Sequence, residues 1–119
     1  MPVFTDVARV VRASALLDSE LYPDDLDPAQ VVAGSPDVRS LELHDSDTLA
    51  IGVWQHSPGV STDVEADEIF VVLHGRATIE VADGPTLEVG PGDVGFLPVG
   101  ARTTWTVHET LRKIYVVRS

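Results

Sequence analysis

Glu68-Ile69-Phe70-Val71-Val72-Leu73-His74-Gly75, followed by Gly92-Asp93 and Pro98-Val99-Gly100, decides how this chain folds. Ile69 to Leu73 is an unbroken apolar run, as a strand buried on both faces requires. Gly75, Gly84, Gly92 and Gly100 are placed where turns need a positive φ or a close backbone approach. Pro91 and Pro98 pre-set turn geometry and remove an edge donor.

Outward from this stretch the alternation continues. Ala77 to Val81 has period two and ends at Ala82-Asp83-Gly84-Pro85, a strong turn signal. Thr86–Val89, Val94–Leu97, Thr103–Val107 and Lys113–Val117 follow as short strands. Upstream, Val38–Leu43 alternates, and Leu49–Trp54 resumes after an Asp/Ser turn. Short strands at about 8–12-residue spacing with Gly/Pro turns predict an all-β sandwich or barrel. The first 34 residues read differently. Ala8–Arg12 suits a strand, Ser14 a cap for a short helix to Leu21, and Tyr22-Pro23-Asp24-Asp25 a loop. This predicts an arm over 1–34, packed on the barrel or on a partner subunit, and a barrel over 35–119.

With 119 residues the chain fits one domain. It has no cysteine, which removes disulfides, thiol nucleophiles and thiolate metal sites and suits a reducing cytoplasm. No apolar run approaches the roughly 18 residues of a membrane span, and the N-terminus lacks the order of a signal peptide. Eight Lys and Arg face nineteen Asp and Glu, a formal net charge of −11. Such a surface repels phosphate backbones and anionic lipid, so nucleic acid and membrane partners are excluded.

Glu68 with Gly75, and Gly92 with Pro98 and Gly100, resemble the two half-motifs of the cupin superfamily. A closer resemblance links the chain to small single-domain cupins related to ureidoglycine aminohydrolase and the ethanolamine-utilisation proteins. Gly52-Val53-Trp54, Ser57-Pro58-Gly59, Thr104-Trp105 and Arg112-Lys113-Ile114-Tyr115 carry it, from about residue 30 onward. The resemblance implies a jelly-roll barrel, a pocket at one mouth and a homodimer. It also exposes a departure. The motif histidines would fall at Ser61 or Thr62, at Asp63 or Val64, and at Thr103, and the motif asparagine at Val107; only Glu68 remains. A transition metal needs three or more such ligands, so no metal and no other cofactor is expected.

The candidate site follows. A glutamate buried in an apolar lumen becomes a usable acid or base, and Glu68 is the first such candidate. His56 shares a strand face with Trp54 and is its partner near neutral pH. Trp54, Phe70, Thr103, Trp105 and Tyr115 form the expected ligand-binding wall. His44 and His74 read as solvated, and His108 as a surface partner of Glu109. Arg112 and Lys113 read either as an anion contact or as partners of Glu109 or Glu80. Three functions stay open: a metal-independent small-molecule binder, a metal-free isomerase, lyase or hydrolase using Glu68 and His56, and a metal enzyme rebuilt on His56, Asp63 and Glu68.

Overall fold

Alternating sequence becomes strand wherever a second strand can take its hydrogen bonds, and here two long strands organise all the others. The computed structural model describes residues 7–119. In chain order these form α1 (Ala13–Leu17), β1 (Tyr22–Pro23), a 3-10 turn (Pro28–Gln30), β2 (Val31–Ala33), β3 (Val38–Asp45), β4 (Leu49–His56), β5 (Gly59–Val64), β6 (Asp67–Val81), β7 (Thr86–Val89), β8 (Val94–Leu97) and β9 (Arg102–Arg118). All the strand pairings are antiparallel.

β6 and β9, of 15 and 17 residues, pair with each other and run through both faces of the fold. One face has the order β1-β3-β4-β9-β6-β8 and uses the C-terminal half of β9 and the N-terminal half of β6. The other has the order β2-β5-β9-β6-β7 and uses the opposite halves. Register shifts between Val72 and Ala77 mark where the shared strands bend from face to face. The core lies between the faces: Phe70, Val72, Leu97 and Leu111 from one, Ala77, Ile79, Trp105 and Val107 from the other. Each such large side chain contributes about 1.5–3 kcal/mol by leaving water. Room for Phe70 comes from Gly95, its cross-strand neighbour, where any Cβ would collide with the ring.

This is the expected all-β jelly roll, one antiparallel sheet curled into two facing halves. Several local expectations fail. Thr103–Val107 and Lys113–Val117 are one continuous strand, and Gly75 makes a bulge inside β6 rather than a turn. The physical reason is shared: antiparallel pairing of the two long strands absorbs the irregular residues as bulges. Gly84 lacks the positive φ; Asp83 carries it, at 60°. β5 was not expected at all, because Ser61-Thr62-Asp63 has no apolar signature. β5 exists because β2 and β9 hydrogen-bond its two edges.

At the N-terminus, residues 8–12 have no regular structure, since no strand pairs with them. Residues 1–6 of the stretch read for a signal peptide lie outside the described residues. The helix is shorter than expected, with Arg12 rather than Ser14 at its N-cap and no side-chain cap. Its end is held from elsewhere: Arg112 Nη1 donates to the carbonyls of Leu16, Leu17 and Ser19, and its Nε donates to Gln55. Leu16 and Leu21 then pack on Val53, with Leu41, Leu43, Leu73 and Ile114 around them, and cover the outer side of the first face. Arg112 is therefore a clasp and not an anion contact. Among the described residues no helix is long and apolar enough to cross a membrane.

Candidate functional site

Odd-numbered residues of β9 point between the faces on either side of Glu109, which is itself exposed and pairs with Arg76. Thr103, Trp105, Val107, Leu111 and Lys113 are all buried. A lysine is thereby driven into the lumen, and it needs a counter-charge. Glu68 supplies it: Lys113 Nζ donates to Glu68 Oε2 at 2.6 Å, with side chains 6% and 8% exposed. The ammonium also lies 4.6 Å from the Trp54 and Trp105 ring centroids and 4.7 Å from that of Phe70. Three aromatic faces around a desolvated cation add cation–π attraction of about 0.5–2 kcal/mol each.

Above the pair opens a cavity of about 210 Å³. Trp54, Trp105, Lys113, Glu68 and Tyr115 form its walls, with Ser61, Asp63 and Glu65 along one side and Asp24 and Leu26 also lining it. The indoles meet in a tilted contact, their centroids 5.6 Å apart and their planes at 59°, and Phe70 packs on Trp105 at 5.8 Å.

A second buried carboxyl, Glu65, closes that side. Its Oε1 accepts from Thr103 Oγ1 at 2.7 Å and from Trp105 Nε1 at 3.2 Å. Burial pushes Glu65 above the usual carboxylate range; the Thr103 hydrogen bond opposes this, and the charges of Asp63 and Glu68 reinforce it. Burial also raises Asp63, but its carboxylate lies at the open end and is screened by solvent. Between the ordinary value of 4.5 and the raised one, the native state holds the Glu65 proton that the unfolded chain has released. Stability from this group is complete below 4.5 and is lost as pH rises through the folded value. Glu65→Gln is therefore expected to gain stability relative to wild type as pH is raised toward neutrality. Urea unfolding at a series of pH values checks it; a difference that is flat with pH would refute it.

Of the residues expected from sequence, Trp54, Glu68, Trp105 and Tyr115 line the cavity together. Phe70 lies beneath it, fully buried in the core. Thr103 is buried and spent on Glu65, and it faces a neighbouring surface hollow. His56 does not line the cavity. It is sealed behind Ser61, with Nε2 2.9 Å from Ser61 Oγ and Nδ1 2.6 Å from the Ser57 carbonyl oxygen. His44 lies on β3 rather than in a turn. His74 is exposed and bonds the Thr110 carbonyl, while His108 meets Thr78 and leaves Glu109 to Arg76.

Lys113, Glu65 and Ser61 are the residues the sequence reading passed over as cavity lining. Each has a signal: Lys113 lies in phase with Trp105 once β9 is one strand, and Glu65 in phase with Ser61 and Asp63. Among the described residues no three His, Cys, Asp or Glu side chains are grouped closely enough to hold a metal ion. His56, Asp63 and Glu68 are thus not brought together as a ligand set.

A two-faced jelly roll with a polar lumen defines a cupin. The family of the EutQ-like cupin domain matches residues 43–115, and the chain belongs to it. It is similar to the EutQ protein of Clostridium difficile, at 26% identity and TM-score 0.63, covering 71% of this chain and 64% of that one. It is also similar to a protein of unknown function of the DUF861 family from Pseudomonas syringae pv. tomato, at 30% identity and TM-score 0.74, covering 84% and 45%. The chain spans less than two thirds of either relative. A cupin superfamily protein from Desulfitobacterium hafniense shares the fold over 98% of this chain and 95% of its own, at 17% identity and TM-score 0.64. No curated protein matches.

Proposed function

We propose that the lumen binds a small polar molecule without a transition metal, in a cytoplasmic homodimeric protein. The observation that carries this reading is the Lys113–Glu68 pair under two indoles, at the base of a 210 Å³ cavity. That volume lies below the roughly 300–1,000 Å³ of drug-sized sites, which suits a metabolite of few atoms. The residues at the positions of the motif histidines do not fit a metal. Ser61 offers a hydroxyl, Thr103 donates its own to Glu65, and Glu68 is paired through Oε2 with an ammonium that repels a second cation. Lys113 provides the fixed positive charge instead, and Tyr115 and Ser61 add hydrogen-bonding groups.

The test has two arms. Protein purified without a His-tag or chelator is analysed for metals, and amines, amides and carboxylic acids are screened by ligand-observed NMR. Metal far below one per chain, with a binder lost in Trp54→Ala, supports the reading. Stoichiometric Mn, Fe, Ni or Zn overturns it. A metal-free enzyme is favoured by one observation, that two carboxyls in the same cavity have different environments: Glu65 buried among neutral donors, Glu68 paired with a cation. Under that reading Glu68→Gln still binds but no longer turns over; under simple binding there is no turnover to lose.

The dimer is supported by an apolar outer stripe in which exposed Phe96 opposes exposed Ile69 across the strands, with Val94 beside them. Phe96→Glu is expected to shift sedimentation from dimer to monomer, and wild type sedimenting as a monomer would remove that part of the proposal.

A further inference from the structure

His56 is fully buried, and its hydrogen bonds determine where its proton sits. The Ser57 carbonyl, 2.6 Å from Nδ1, can only accept, so Nδ1 carries the proton. Nε2 is then a bare lone pair, and Ser61 Oγ, 2.9 Å away, donates to it. Ser61 lines the cavity that also holds the Lys113 ammonium. A hydroxyl, a base within hydrogen-bond reach and a group orienting the base are the three parts of an activated nucleophile. A purely structural serine needs only a partner; this one faces the lumen with its base behind it.

We propose that Ser61 is a nucleophile for acyl transfer from small esters, with His56 as its general base and Lys113 as the charge that stabilises the oxyanion. The inference rests on the lumen admitting small molecules, as proposed above. Ser61 Oγ bonds to the ester carbonyl carbon as its proton passes to His56 Nε2, and the carbonyl π pair moves to oxygen. On collapse the C=O re-forms, the bond to the alcohol oxygen breaks, and the alcohol leaves with the proton from His56. Water repeats the sequence on the acyl-serine and releases the acid. The orienting group is a neutral carbonyl rather than a carboxylate, so the imidazolium is stabilised less and turnover is slow. The cavity volume restricts the acyl group to a few atoms.

The probe is p-nitrophenyl acetate with the full chain, read by nitrophenolate release and by peptide mass spectrometry. The expected result is one acetyl group on Ser61, release reduced at least about 100-fold in His56→Gln, and no acetylation of that peptide in Ser61→Ala. Thr86→Ala, exposed on β7 and away from the cavity, retains the reaction. Thermal unfolding of each variant separates loss of chemistry from loss of fold, and Ser61→Ala keeps His56 in place should His56→Gln not fold. Acetyl on lysines alone, or release unchanged in Ser61→Ala, overturns the inference. If Ser61 stays unlabelled while the NMR screen finds a lumen binder, this inference falls and the binding function stands; if neither occurs, both fall.

Discussion

Lys113→Met lowers the unfolding free energy by about 3–5 kcal/mol, the cost of leaving one partner of a buried ion pair without the other. Methionine matches the length of the lysine stem and fills the aromatic cage, so the loss is electrostatic and not a packing defect. What remains is the Glu68 carboxylate, 8% exposed, with its counter-ion gone. Glu68→Gln in the Lys113→Met background removes that orphaned charge and is expected to recover more than half of the loss. A denaturant double-mutant cycle reads both numbers. If Lys113→Met falls within about 1 kcal/mol of wild type, water reaches the pair and the lumen is not the low-dielectric site that its function requires. The same variant is also expected to lose the ligand found by NMR, because the lumen's fixed cation is gone.

Gly75→Ala is expected to cost about 3 kcal/mol, from the left-handed backbone and overpacking together. Residue 75 has φ 90°, and a Cβ there would strike the Thr110 carbonyl across the bulge. Both strands are fixed by their other pairings, so neither can step aside. The consequence extends to the site. The bulge sets the phase between the half of β6 that carries Glu68 and the half paired beside Trp105. Thermal unfolding gives the stability loss, and tryptophan emission reports whether Trp54 and Trp105 keep their tilted contact. Unfolding at the wild-type temperature would mean that the bulge relaxes freely, contrary to the geometry.

Both effects arise where single-strand reasoning stops. Period-two alternation located β3, β4, β7 and β8 closely, because each is a short strand with turn residues at its ends. It divided β6 at its bulge, where the buried phase changes from Phe70 and Val72 to Ala77 and Ile79, and it divided β9 at the polar stretch around exposed Glu109, where the phase is kept. Reading β9 as two pieces lost the phase relation that places Lys113 beside Trp105. The same limit affected Glu68. Its position at the lumen was legible from the glycine spacing, but its partner lies 45 residues away on another strand. His56 was legible as an inward residue and not as a sealed one, since the seal is made by Ser61 on a strand with no apolar pattern.

Composition and spacing alone determined the class, a cysteine-free, acidic, all-β chain, because turns and alternation are local properties written into adjacent residues; the resemblance of its glycine and proline motifs added the cupin family. Which buried groups meet inside it was decided only by the tertiary structure. The pairing of Lys113 with Glu68, of Glu65 with Thr103 and Trp105, and of His56 with Ser61 each depends on the register between distant strands. Register is a long-range quantity set by bulges and by the curling of the sheet, and no local stretch of the chain encodes it.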